Sequence, residues 1–167
     1  MTTIFTIGHS RHAPGHFTWL LHSHTITRLV DVRSHPVSKW APHFNKAALE
    51  QLLETRSLDY VFLGRQLGGR PEGREFYRED GSVDYVLRAA APDFVAGIEQ
   101  LVEFACARRT VILCAEEDPA SCHRRRLVAP ALRRVGLAVV HIRGDGRLEP
   151  DVGDPMPSPQ IDLFGGR

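Results

Sequence analysis

A chain of 167 residues with 43% hydrophobic and 25% charged residues is long enough to bury one proper core, and a single globular domain is expected. Its three cysteines do not make a secreted disulfide framework, residues 1–10 lack the basic start and apolar run of a signal peptide, and no stretch approaches the roughly 20 apolar residues that span a bilayer, so a cytoplasmic protein without a membrane partner is expected. The net charge of +1 is uneven: Asp145, Glu149, Asp151, Asp154 and Asp162 against Arg147 and Arg167 leave −3 on residues 145–167 and +4 on residues 1–144.

Short β-branched or apolar runs occur at Thr3 to Ile7, Arg28 to Val32, Leu58 to Leu63, Thr110 to Cys114 and Ala138 to Ile142. Between them, Pro14 to His24, Lys46 to Arg56, Pro92 to Arg108 and Pro119 to Val135 have helical spacing. Alternating strands and helices with near-continuous apolar strands predict an α/β fold. A mostly parallel sheet of about five strands, with helices on both faces, gives it Rossmann-like or rhodanese-like layering. Gly64 to Ala90 interrupts the alternation with glycines, Pro71 and many charges, and reads as a long excursion over the site. Pro130 is expected to kink the last helix. Residues 1–144 are expected as the domain, and 145–167, acidic and rich in proline, as a flexible tail.

In open α/β sheets ligands sit outside the carboxyl ends of the strands, which directs attention to Gly8-His9-Ser10, Asp31-Val32-Arg33, Gly64-Arg65 and Cys114-Ala115-Glu116. Asp31 and Arg33 share one face of their strand, where they either position a substrate or pair with each other; Asp31 or Glu116 is the candidate general base, and His9 a further acid or base. The run Cys114 to Arg124 is expected to pass from a strand into a helix capped by Asp118 or Ser121, with Pro119 in its first turn. Such a start favours anions and would activate Cys122, with His123 and Arg124 as donors. Cys114 is expected as buried scaffold and Cys106 as core. The spacing of Cys114, Cys122 and either His123 or His9 matches no compact zinc pattern, so neither a metal nor another cofactor is expected. Ser10, Arg33, Arg65 and Arg70 complete the expected phosphate contacts. Arginine makes up 19 of 21 basic residues, which suits bidentate phosphate binding and also follows from a GC-rich genome. Trp40, Phe44, Phe76 and Tyr77 either stack on bases or pack on the core.

Near the end of the chain, Gln160-Ile161-Asp162-Leu163-Phe164 follows Pro157-Ser158-Pro159. It is similar to the pentapeptide with which bacterial replication and repair proteins dock on the β sliding clamp. A Gln donor and a Leu-Phe anchor on a tether suit a groove, and folding of Phe164 back on its own domain is the alternative.

Taken together, Thr6-Ile-Gly-His-Ser10, Leu29-Val-Asp-Val-Arg33 with Pro36 and Ser38, Phe44, Tyr60 through Gly69, Leu113-Cys-Ala-Glu116 and Cys122-His-Arg124 resemble family 488 of the domains of unknown function, over about residues 3 to 143. The resemblance implies a small α/β domain with these motifs at its site, and no settled activity. The strand-end Asp-Val-Arg and a cysteine closing a later strand are also similar to rhodanese-like domains, but acidic Glu116, Glu117 and Asp118 after Cys114 argue against sulfur transfer or phosphatase chemistry there. The functional expectation is a nucleic-acid-processing enzyme in DNA repair or base modification, brought to DNA by the clamp-like tail. A thiol-dependent transferase using Cys122 and a non-catalytic module for a nucleotide or modified base are the alternatives. Oligomeric state is left open.

Overall fold

The computed structural model describes residues 1–153, so Gln160, Leu163 and Phe164 lie outside the described residues. All five apolar runs form strands: β1 (Thr3–Gly8), β2 (Arg28–Asp31), β3 (Asp59–Phe62), β4 (Thr110–Cys114) and β5 (Ala138–Ile142). A sixth, β6 (Leu148–Pro150), lies beyond the boundary expected at Gly144 and runs antiparallel to β5. The sheet order is β3-β2-β4-β1-β5-β6, and the first five strands are parallel. Gly8 stands opposite Cys114, and Asp31 opposite Leu113.

Alternation along each strand divides the apolar residues between two cores. Helices α1 (Pro14–Ser23) and α2 (Lys46–Glu54) bury Phe17, Leu21, Leu49 and Leu53 against Phe5, Leu29, Val111 and Leu113. On the opposite face, α5 (Pro92–Ala107) and α6 (Ala129–Arg134) bury Phe94, Ile98, Leu101 and Leu132 against Ile4, Val30 and Ile112. The chain therefore leaves β2 over one face and adjacent β4 over the other. Their carboxyl ends flank a crevice, the topological switch point at which open α/β sheets bind ligands.

The excursion after β3 has structure of its own: α3 (Gly64–Leu67), a turn at Arg74–Phe76 and α4 (Tyr85–Ala89), whose start is capped by Asp84 accepting from the Val86 and Leu87 N–H groups. Arg88 straps it down. Only 1% exposed, its guanidinium donates to both oxygens of Asp93 and to the Arg65 and Gln66 carbonyls. The helix expected from Pro119 is divided. Asp118 and Pro119 start a single 3₁₀ turn, Cys122 is extended, and helical structure resumes with a π turn at Arg124–Val128 running into α6. That wider turn lies just ahead of Pro130, whose ring would otherwise press on the carbonyl four residues back. Cys106, expected as core, is exposed near the end of α5.

The last described residues are held down. The Asp151 N–H donates to the Val139 carbonyl at 2.9 Å, and its buried carboxylate pairs with Arg133 and, at 3.7 Å, with Arg125.

Candidate functional site

A cavity of about 470 Å³ opens at the β2–β4 crevice. Strand ends supply His9, Arg33 and Cys114; the loops behind them supply Ser34, His35, Glu116, Cys122 and His123; the excursion adds Gly69, Arg70 and Tyr85.

Asp31 is fully buried and is absent from the lining. Both of its oxygens bind the Arg33 guanidinium, at 2.9 Å through Nε and 2.6 Å through Nη2, and it also accepts from the Arg33 N–H and the Tyr60 hydroxyl. Burial, the nearby Asp31 charge and this hydrogen bond push the Tyr60 phenol well above its ordinary value. With every good acceptor direction engaged, Asp31 aims Arg33 and has no free access to a substrate. Arg33 Nη1 reaches His9 Nε2 at 3.2 Å, while His9 Nδ1 donates to the Ser10 carbonyl at 2.8 Å and the ring stacks on Phe44. Burial lowers the His9 pKa to about 4, with Arg33 adding to the effect against the pull of the Ser10 carbonyl. The ring is thus neutral at pH 7 and accepts from Arg33. Phe44, wholly buried, is core.

The second half of the site gathers sulfur, imidazole and carboxylate. Cys114 and Cys122 are free and buried, their Sγ atoms 2.8 Å apart, and the Cys114 thiol donates to Glu116 Oε2 at 3.1 Å. His123 Nδ1 lies 3.5 Å from the Cys114 sulfur and 3.8 Å from that of Cys122, and Nε2 donates to the Val32 carbonyl at 3.2 Å. That bond turns the Nδ1 lone pair toward the thiols. The neighbouring Cys122 sulfur, with burial, pushes the Cys114 thiol well above its ordinary value against the pull of His123. Burial alone would raise Glu116, but hydrogen bonds from the Cys114 thiol, its own backbone and Cys122 hold it below the usual carboxylate range. For His123 burial works downward and is outweighed by Cys114, Glu116 and the Val32 carbonyl, so its pKa is raised.

Glycines bring these segments together by closeness of approach. A Cβ on Gly8 would lie 1.7 Å from the Glu116 carbonyl oxygen, and one on Gly69 would lie 2.7 Å from the His123 ring. The Leu63 to Gly69 motif thus packs α3 and its following loop against the site: the Ser34 hydroxyl accepts from the Arg70 N–H at 2.9 Å.

Of the residues singled out from sequence, the structure brings His9, Arg33, Arg70, Glu116, Cys122 and His123 to one cavity and adds Cys114. It does not bring Ser10, whose N–H is spent on the Ala115 carbonyl, or Arg65, whose side chain is exposed on α3, into the lining. Arg124 is buried behind it, donating to the Glu117 carbonyl, with Nε and Nη1 unpartnered among the described residues. Ser34 and His35 line the cavity beside Arg33, which they follow in the chain. Sequence reasoning missed Tyr85, which nothing local marks and which lies on α4 of the excursion.

A family model described as Domain of unknown function DUF488 matches residues 15–130. The match spans Arg33, Cys114, Glu116, Cys122 and His123, and begins after His9. No curated protein and no solved structure matches the chain significantly.

Proposed function

Because the chain belongs to the DUF488 family, whose description names no activity, we propose a function from the site itself: an enzyme that processes nucleic acid or a nucleotide, with DNA repair or base modification as its setting. The observation that carries this reading is that one cavity joins anion donors, Arg33, Ser34, His35 and Arg70, to the Cys114, Glu116, Cys122 and His123 cluster. Asp31 and His9 engage three of the Arg33 N–H groups, leaving two of its five for a phosphate. Trp40, 79% exposed with the Arg11 guanidinium 5.2 Å over its ring, lies close in the chain to Val37 and Ser38 of the cavity lining and offers a face for a base.

The reading is tested by incubating the purified full chain with single-stranded and duplex oligonucleotides and with free nucleotides, in the presence and absence of added divalent metals. Absence of turnover in every case would overturn it in favour of a binding module. Where turnover is found, Arg70→Ala is expected to raise KM about tenfold with kcat nearly unchanged, the signature of a lost phosphate contact.

The clamp-like motif supplies the proposed partner. Sliding clamp immobilised on beads is expected to retain the full chain at least about tenfold more strongly than a variant carrying Leu163→Ala and Phe164→Ala, since an anchor pair carries most of the affinity of such a motif. Equal retention removes the tether from the proposal and leaves the enzyme.

One specific observation favours a second reading, thiol-dependent transfer from Cys122: an imidazole with a fixed tautomer stands within reach of both thiols. Full turnover by Cys122→Ser would exclude it.

A further inference from the structure

We propose that Cys114, Cys122 and His123 hold one zinc-class divalent ion at the cavity, with its fourth coordination position open to the substrate. The two sulfurs and His123 Nδ1 all lie within 4.8 Å of one another, and all three residues line the cavity. Two thiolates and an imidazole are a donor set for zinc, and three protein ligands with one vacant position are the pattern of catalytic rather than structural zinc.

The surroundings fit that role. The Val32 carbonyl accepts the Nε2 proton of His123, which fixes the tautomer a metal requires, and the absence of a side chain at Gly69 leaves the ring its place. Arg124, next in the chain to His123 and fully buried, leaves two guanidinium nitrogens unpartnered among the described residues. Buried donors of this kind call for negative groups nearby, and two metal-bound sulfurs with Glu116 would supply them. Sulfurs bound to one zinc at about 2.3 Å stand roughly 3.7 Å apart, so loading separates the present 2.8 Å pair by about 1 Å. Cys122, in extended chain between a 3₁₀ turn and a π turn, can provide that shift.

Loading also frees the carboxylate. Glu116 now accepts the Cys114 proton; once that proton leaves on metal binding, Glu116 can turn to a water in the open position. The water then gives one proton to Glu116 and attacks as hydroxide, forming the new bond from oxygen to the substrate's electrophilic centre. The bond to the leaving group breaks, and that group departs with the proton from Glu116. The hydrolytic step rests on the nucleotide reading above; the metal site does not.

The test uses the reduced full chain and cobalt(II) as a spectroscopic probe. One equivalent is expected to give thiolate-to-metal absorption and the intense visible bands of a tetrahedral site, both removed by equimolar zinc(II). Cys106→Ser should leave the spectrum intact, and Cys114→Ser and Cys122→Ser should each reduce it. Because the buried-cysteine variants are open to misfolding, a second measurement uses the unaltered chain: after incubation with excess zinc(II) and gel filtration, elemental analysis should find one zinc per chain, in the unaltered protein and in Cys106→Ser alike. Absence of cobalt bands, or no zinc retained after gel filtration, overturns the site and leaves free-thiol chemistry standing. A bound metal with no turnover of any nucleotide keeps the site and overturns the substrate class.

Discussion

Asp31→Ala is expected to cost the fold about 3–5 kcal/mol, because it strands the Arg33 guanidinium in the interior without its carboxylate. Arg33 is 4% exposed and Asp31 not at all, and the Tyr60 hydroxyl loses its acceptor in the same substitution. For a domain of this size the loss corresponds to a fall in Tm on the order of 10 °C, measurable by calorimetry. A general base would behave differently, with kcat collapsing and Tm almost unmoved. The double variant Asp31→Ala, Arg33→Met is expected to recover much of the stability, since removing both members of a buried pair costs far less than removing one. Additive losses in the double variant would show that the pair is not the source of the effect.

The second large effect depends on pH. With its folded pKa at about 4 and an unfolded value near 6.5, His9 binds its proton first in the unfolded chain. Stability due to the neutral ring is therefore complete above about pH 6.5 and is lost progressively as pH falls to about 4. The loss approaches about 3 kcal/mol for a ring this deeply buried. Urea unfolding at pH 7, 5.5 and 4 should show the stability gap between wild type and His9→Gln narrowing by that amount. A gap that stays constant across the window would mean that His9 titrates alike in the folded and unfolded chain.

The parallel strands were readable because each is a short β-branched or apolar run bounded by polar or small residues, and the helices α1, α2 and α5 because their apolar spacing is long enough to repeat. β6 was not, since three residues ending in Pro150 at a sheet edge carry no periodic signal. The Asp118-Pro119 signal was real but local: it starts one turn, and whether a helix continues is decided by Cys122 turning extended so that its sulfur meets Cys114. That same turn is why Cys114 read as scaffold. Contact between residues 114 and 122 depends on how the intervening loop folds back, which neither spacing nor composition states. The shared face of Asp31 and Arg33 was correctly placed, while their pairing depended on how completely the crevice covers Asp31. The glycines after β3 leave space for Ser34 and His123, a property of the neighbours that the local sequence does not state.

The docking of Asp151 beside β5 has a mechanical consequence. The ion pairs with Arg133 and Arg125 make a clamp at the root of the C-terminal segment, and β6 stands three strand positions from β4, about 14 Å at ordinary strand spacing. A load drawn through the chain end is met first by that clamp and by the β5–β6 ladder, on the side of the sheet away from the crevice. The contacts that fasten this segment are therefore separate from those that line the cavity.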